Sequence, residues 1–415
     1  MTHILLYGKW KVGQSLARFC QSIEQEYTLC DETDAPESFA DYTAIIPSPG
    51  LPSSHRVYQA DQVISELDFL SRFIPKGFQI HAVTGTDGKS TTSSILYHFL
   101  HAGFPDSSVY LGGNFGTAFA DILLEIAKKW EKEGHIVLEV SSFMAYHLRT
   151  FYADSSILTN LHPDHLDWHK DLSEYYNAKQ NLLGHTKNII LYPASAIPLL
   201  PELPHFPIES TVMPEKMSLE HNLLSLTADA FIDLSERQLY GDHNISNIFF
   251  AASLAFRLWV PVKILSATLP LIPALPHRLQ RISGKDGKIW IDDSKSTTAQ
   301  SLYAALRAFS PDKVHLIAGG KDKWDPFQGL AEELQKYCAQ CVALGETRHI
   351  FLQACHDAFV PATSVATMQE AVDFMSHNTK EGDIILLSPG CASFDMFHDY
   401  EDRAKQFAFA IHASE

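Results

Sequence analysis

The stretch "IHAVTGTDGKSTTSSILYHFLHAG", residues 80–103, joins an apolar run to a glycine turn and then to a helical period. Ile80–Val83 predicts a strand, and Lys89 onward predicts a helix closed by Gly103. Between them lies Gly-Lys-Ser-Thr, the ending of a phosphate-binding loop. The common pattern G-x-x-x-x-G-K-[ST] asks for a glycine five residues before Gly88. Val83 occupies that position, and the earlier glycine arrives only at Gly85. The context still suits an anion, because backbone N–H groups and the positive end of a helix dipole meet at such a turn. Gly85 and Gly88 would let the backbone approach a phosphate, Lys89 would reach the β- and γ-phosphates, and the Ser90 hydroxyl can ligate Mg²⁺. An ordinary glycine turn with an exposed lysine is the competing reading.

Outward from this stretch, apolar runs alternate with helical periods, the pattern of parallel sheets covered by helices. Before it, "HILLYG" (3–8), "YTLCD" (27–31) and "TAIIPSPG" (43–50) predict strands around a helix at about 13–24. After it come "VYLGGN", "HIVLEVSS", "SSILTNL" and "NIILYPA". The Pro-rich stretch 193–214 and "LPLIPALPHR" (269–278) interrupt the alternation. A third series follows: "KIWIDDSKS", "VHLIAGG", "QCVALG", "SVATM" and "DIILLSPG", with a last helix from about 397. Boundaries are expected near 75 and 275, giving blocks 1–75, 76–275 and 276–415,.

In parallel sheets, ligands bind outside the carboxyl ends of strands. Glu139 follows "HIVL", and His162, Asp164, His165 and His169 follow "SILTNL". Carboxylates and imidazoles beside a phosphate loop suit divalent cations bridging a triphosphate. A solvated turn or a zinc site would use the same residues in "HPDHLDWH".

The 415 residues carry 32 Lys and Arg against 49 Asp and Glu, a net charge of −17, with 46% hydrophobic residues. So acidic a surface repels phosphate backbones, so neither nucleic acid nor an anionic membrane is expected as a partner. No apolar run approaches the about 20 residues of a membrane span, and "MTHILLYGKW" resembles a first strand rather than a signal peptide,. Six scattered cysteines form no disulfide framework, and a cytoplasmic monomer is expected,. Cys338 and Cys341 are spaced C-x-x-C, with Cys338 ending a helical pattern and Cys341 opening an apolar run, so both are expected in a core rather than on zinc.

An ordered set of motifs resembles the Mur ligase family over essentially the whole chain. "GTDGKST" (85–91) matches that family's shorter ATP loop, which accounts for the late glycine. "GGNFG" (112–116), "LEVSSF" (138–143), "TNLHPDHLDWH" (159–169), "NAKQNL" (177–182) and "GDHN" (241–244) follow. "PHR" (276–278), "DDSKST" (292–297), "GGKDK" (319–323) and "LLSPGCASFDMF" (386–397) complete the set. "SPGCASFDMF" together with "DDSKST" points to the D-glutamate-adding member.

The resemblance implies an α/β protein of three domains: an N-terminal Rossmann-like UDP-binding domain, a central P-loop ATPase-like parallel-sheet domain and a C-terminal Rossmann-like domain with the acceptor site. It implies an ATP-dependent ligase adding D-glutamate to UDP-N-acetylmuramoyl-L-alanine through an acyl-phosphate, in peptidoglycan precursor synthesis. Gly85, Thr86, Asp87, Gly88, Lys89, Ser90 and Thr91 would hold ATP, with Asn244 on adenine, Arg278 on the phosphates and Asp293 on the ribose. Ser90 and Glu139 would bind a first Mg²⁺, and His165 and Lys179 a second, with Lys179 carried as an N6-carboxylysine (a carbamate). Read from composition alone, Lys179 is a surface helix lysine. Asn114, Ser141 and His165 would lie near the muramoyl substrate. Lys295, Thr297, Lys323, Ser393, Phe394 and Tyr400 would surround the incoming amino acid. Gly8, Lys11, Val12 and Asp31 would hold UDP.

Some positions depart from the family pattern. "GKWKVGQS" (8–15) places Lys9, Trp10 and Lys11 where relatives keep small residues, leaving lysines that could bind the diphosphate directly. Met144 replaces a common Gln, and Thr298 replaces a common Asn. Rival readings are a sibling Mur or folylpolyglutamate-type ligase with another acceptor, a P-loop NTPase coupling hydrolysis to motion, and a UDP-sugar sensor without turnover.

Overall fold

Apolar runs bounded by turn residues become parallel strands, and the amphipathic segments between them become the covering helices. A computed structural model describes residues 3–413 apart from 167, 201–208, 214–218, 221, 285 and 323–326. The chain opens with β1 (Ile4–Tyr7), α1 (Lys11–Ser22), β2 (Tyr27–Cys30), β3 (Ala44–Pro47) and α2 (Glu66–Ser71). These strands pair in parallel in the order β2-β1-β3. The helix starts two residues earlier than its apolar period indicates, at Lys11.

The central series runs β4 (Gly77–Thr84), α3 (Lys89–Gly103), β5 (Ser108–Gly113), α4 (Phe119–Lys129), β6 (Glu133–Glu139), α5 (Ser142–Ala145), β7 (Ala153–Leu158), α6 (Leu172–Gly184), β8 (Thr186–Pro193) and β9 (Glu209–Met213). All six strands pair in parallel, ordered β5-β6-β4-β7-β8-β9. The strand β9 corrects the reading of 193–214 as a simple break. Its flanking residues are too Pro-rich to show a strand period, yet its backbone extends the sheet beside β8,.

An antiparallel sheet of β10 (Leu219–Glu220), β11 (Leu223–Thr227) and β12 (Ala230–Asp233) was also invisible in the sequence. Its strands are too short for a period to register. Then come α7 (Asp242–Arg257) and α8 (Val262–Thr268).

The last series comprises β13 (Gln280–Ile282), β14 (Ile289–Asp292), α9 (Ala299–Arg307), β15 (Val314–Gly319), α10 (Leu330–Tyr337), β16 (Cys338–Leu344), α11 (Arg348–Asp357), β17 (Ala362–Ser364), α12 (Met368–Asn378), β18 (Ile384–Leu387) and α13 (Tyr400–Ala413). Its sheet is ordered β13-β14-β18-β15-β16-β17, parallel except for the edge strand β13. Cys338 opens β16 rather than ending a helix. It lies buried with Cys341 and Cys355 in the core on one face of this sheet, as the apolar run indicated.

By contacts the chain divides into two units. Residues 1–235 with 246–269 form the first, and residues 236–245 with 270–415 the second. Within the first unit the small N-terminal sheet and the central sheet share one core, where Leu16, Phe19 and Leu67 join Phe119, Ile136 and Phe151. Polar ties reinforce it: Arg18 forks onto Asp121 at 2.8–3.1 Å. The buried Asp68 carboxylate accepts from the backbone N–H groups of Arg149, Thr150 and Phe151 at 2.7–3.1 Å. Among the described residues no helix is long and apolar enough to cross a membrane.

Candidate active site

The turn from β4 into α3 is shaped by the end of β7. Gly85 has φ +143° and Gly88 φ +78°, conformations that L side chains rarely adopt,. A Cβ on Gly85 would overlap Thr159 Oγ1, and one on Gly88 would overlap Asn247 Oδ1. Thr159 Oγ1 donates to Asp87 O at 2.6 Å, and Asp87 N donates to Asn160 Oδ1 at 2.8 Å. Thr86 N donates to Asn160 O at 3.1 Å, and Thr86 Oγ1 accepts from His162 N at 3.0 Å. A loop two residues shorter than the common spacing is therefore held in shape by the neighbouring strand end. Lys89 folds back across it, donating to Thr86 O at 2.8 Å. Ser90 and Thr91 follow in the first turn of α3, which carries no acidic residue to oppose an anion,.

Glu139, the last residue of β6, is 1% exposed. Its Oε1 accepts from Asn114 Nδ2 at 2.7 Å, and Asn114 N donates to Glu139 O at 2.9 Å. Among the described residues its Oε2 has no hydrogen-bond partner. A buried, orphaned carboxylate oxygen at a strand end, beside a phosphate loop, is what a hard cation would complete.

Lys179 overturns the surface reading. It sits on α6 with 1% exposure, because Tyr175, Ala178 and Leu182 on the same face are drawn into the core. Its Nζ donates to Gly85 O at 2.7 Å and lies 4.6 Å from the Tyr175 ring centroid. Burial, and then the nearby Lys89, push the ammonium down to about 7. Tyr175 is the hidden organiser here. Its hydroxyl lies 3.0 Å from Thr86 Oγ1, and its ring packs 6.1 Å from that of His165 and 5.3 Å from that of His169.

His165 takes a left-handed φ of 54° in an exposed turn, its Nε2 3.4 Å from Asp164 Oδ2. His169 does not join it at the strand end. Its ring is buried, with Nε2 2.9 Å from Ser142 Oγ and Nδ1 3.5 Å from Glu174 Oε2, because Phe143, Trp168 and Tyr146 draw it into an aromatic cluster. Among the described residues no three His, Cys, Asp or Glu side chains gather into a metal site. Ser141 caps α5, accepting from Met144 N at 3.2 Å. Met144 fills the shared core, which accounts for an apolar residue there.

At the N-terminal sheet, Gly8 leads from β1 into the loop, and Lys11 and Val12 open α1. The flanking lysines are already engaged. Lys9 pairs with Asp34 at 2.6 Å and lies 3.7 Å from Asp31, while Lys11 donates to Gly116 O at 2.8 Å. Asp31 Oδ1 accepts from Thr33 N and Oγ1.

In the second unit, Asn244 Nδ2 donates to Tyr240 O at 2.7 Å. Asp293 is buried, accepting from Ser388 Oγ at 2.8 Å and Leu279 N at 3.2 Å, and burial pushes its carboxyl up to about 7. Lys295 lies 5.4 Å over the Tyr400 ring, and Arg278 stands in the turn before β13. Thr297 is half-buried, Ser393 is buried and Phe394 is exposed. Thr298 caps α9 in a capping box with Ser301, a sound physical use of that departure,. Lys323 lies outside the described residues.

Residues 83–196 match the Mur ligase middle domain, and residues 277–391 match the Mur ligase, glutamate ligase domain. The chain belongs to the Mur ligase family. It is 30% identical over 414 residues to the UDP-N-acetylmuramoylalanine–D-glutamate ligase of Aquifex aeolicus, covering 97% of each chain. It is 32% identical over 422 residues to the enzyme of that name from Hydrogenobaculum sp., again covering 97% of each. Among solved Mur ligases, the UDP-N-acetylmuramate–alanine ligase of Thermotoga maritima superposes with a TM-score of 0.61 at 16% identity over the whole of both chains. A MurF ligase from Thermotoga maritima in complex with ADP gives 0.60 at 17% identity, covering 98% of this chain and 94% of that one. These two likenesses establish the shared Mur ligase fold.

Four residues that the sequence reading passed over support this site: Thr159, Asn160, Tyr175 and Asn247. Thr159 and Asn160 lie inside the quoted motif "TNLHPDHLDWH", and Tyr175 and Asn247 lie within four residues of quoted ones. Only the fold joins Thr159, Asn160 and Tyr175 to the loop by hydrogen bonds and sets Asn247 against Gly88, where its Oδ1 accepts from Thr92 Oγ1 at 3.2 Å.

Proposed function

We propose that the chain is an ATP-dependent amide ligase that joins D-glutamate to UDP-N-acetylmuramoyl-L-alanine in the synthesis of peptidoglycan precursors. The observation that carries this reading is the convergence of the phosphate loop, the orphaned Glu139 carboxylate and the buried Lys179 amine at adjoining strand ends. The names of the full-length relatives supply the substrates.

ATP would lie along Gly85–Thr91, with Asn244 at adenine, Asp293 at the ribose and Arg278 at the phosphates. Ser90 and Glu139 would hold one Mg²⁺, and His165 with Lys179 another. The donors fit such ions only if Lys179 brings oxygen, so Lys179 is read as a carbamate. An amine held near neutrality by burial can add CO₂, which turns a repelling ammonium into an anionic ligand. Bound Mg²⁺ would supply Lewis-acid neutralisation of phosphate charge.

Lys89 leaves Thr86 O to meet the γ-phosphate as it passes to the L-alanine carboxylate, releasing ADP and forming an acyl-phosphate. Asn114, oriented by Glu139, and Ser141 and His165 line the muramoyl side. The D-glutamate amine, among Lys295, Thr297, Lys323, Ser393, Phe394 and Tyr400, attacks the acyl carbon. Phosphate leaves, a proton is lost and the amide remains. Gly8, Lys11, Val12 and Asp31 are read as the UDP end, with residues 1–75, 76–275 and 276–415 as the UDP, ATP and acceptor blocks. Six unpaired cysteines support a reducing, cytoplasmic setting,. The test is ADP release in the presence of each candidate acceptor. D-Glutamate should support it, and L-alanine should not.

A further inference from the structure

The turn that carries Arg278 is strained. His277 has φ 62° and Leu279 φ 47°, left-handed values without a glycine to ease them,. Such a turn persists only where its surroundings hold it. Here the hold comes from the segment 292–295. Leu279 N donates to Asp293 Oδ1 at 3.2 Å, Lys295 N donates to His277 O at 3.1 Å, and Gln280 pairs with Asp292 across β13 and β14.

The shortest tie is His277 Nδ1 to Asp292 Oδ2, at 2.7 Å. Asp292 is 1% exposed, and its other oxygen accepts from both Ser294 N and Ser294 Oγ. An ionised carboxylate can only accept, so as its partner Nδ1 of His277 is the donor of the shared bond. The His277 ring then stands edge-on to Tyr400 at 6.0 Å, and its carbonyl holds the backbone of Lys295, whose Nζ lies over the same Tyr400 ring.

We propose that Asp292 and His277 form a positioning clasp that aims Arg278, Lys295 and Tyr400 together, so that nucleotide and amino-acid recognition in this unit share one support. The inference rests on the functional reading above for what those three residues bind. Asp292 and His277 need touch no reacting atom; they act through the turn they lock.

The test uses the full-length enzyme with Asp292→Asn, Asp292→Ala, His277→Ala and the Asp292→Ala/His277→Ala double variant. A clasp predicts that KM for ATP and KM for D-glutamate both rise by about tenfold or more in each single variant, since small misplacements are costly. KM for UDP-N-acetylmuramoyl-L-alanine should stay within about twofold, because its expected residues lie in the first unit. The double variant should lose no more than the worse single, as for two halves of one bond. If Asp292→Ala does not fold, Asp292→Asn carries the test, since it keeps the size and one acceptor oxygen. Unchanged KM for ATP and D-glutamate in Asp292→Asn, additive losses, or an equal rise for all three substrates with a lowered unfolding temperature would each overturn the clasp. Wild-type enzyme that forms no product with D-glutamate would instead remove the functional reading. ADP calorimetry on wild type and Asp292→Asn would then decide the clasp alone: about tenfold weaker binding supports it, and equal binding ends it.

Discussion

At the scale of single residues, one lysine reaches across the loop and the other is buried against it. Lys89 has its charge held over the phosphate loop by Thr86 O. On the proposed reading, removing that charge would take away electrostatic stabilisation during phosphoryl transfer while disturbing little packing. Lys89→Ala is therefore expected to lower kcat by at least about a hundredfold and to shift the unfolding midpoint by only a few degrees. Steady-state kinetics beside thermal melting checks both halves. Lys179 invites a chemical test. With ¹³C-bicarbonate, wild-type protein should show a carbamate carbonyl resonance that Lys179→Ala lacks, and a short added carboxylate should restore part of that variant's lost activity. A spectrum identical in both proteins would return Lys179 to the role of a buried amine. The sequence disclosed Lys89 through its neighbours, Gly88 and Ser90. It disclosed Lys179 only through resemblance, because burial depends on how α6 docks and a helical lysine carries no local sign of that.

At the scale of elements, the strands β4, β6 and β7 meet around two buried histidines. His81 Nδ1 lies 2.8 Å from Ser155 Oγ, and its Nε2 lies 3.0 Å from His135 Nδ1. Burial, and then His135, lower His81 to about 3, and burial lowers His135 too. Both rings are thus neutral in the folded protein, whereas unfolded histidines titrate near about 6.5. As pH falls below that value, the unfolded chain binds protons that the folded chain refuses, so stability is lost from about pH 6.5 downward. His81→Asn should make the urea midpoint less sensitive to pH between 7 and 4.5 than it is in wild type. An equal slope in both would show that this pair is not the acid-sensitive element. The loop offers a second prediction at this scale. Gly85→Ala must displace Thr159, so ATP affinity should drop by at least about tenfold with the strand order intact,. Most strands of the three parallel series were legible as apolar runs. The strand β9 and the β10–β12 sheet were not, because short or Pro-flanked pieces draw their pairing from the rest of the fold. Thr159 and Asn160 were legible as a motif but not as the loop's scaffold, since that bond pattern joins segments more than 70 residues apart.

At the scale of the whole molecule, the proposed function turns on which acceptor the enzyme selects. On the proposed reading, Lys295, Thr297 and Ser393 would bring a cation and two hydroxyls, chemistry suited to an acceptor bearing carboxylates rather than to a plain alkyl side chain. D-Glutamate should be used efficiently and L-alanine not at all, while very weak use of L-glutamate and none of meso-diaminopimelate are expected from the names of the relatives. The most direct measurement is ADP formation by the purified chain with ATP, Mg²⁺ and UDP-N-acetylmuramoyl-L-alanine, with each amino acid added in turn and the product weighed by mass spectrometry. The account predicts ADP release that depends on D-glutamate and matches, mole for mole, a product heavier by one glutamyl residue. ADP release that is indifferent to D-glutamate, or an equal rate with diaminopimelate, would contradict it.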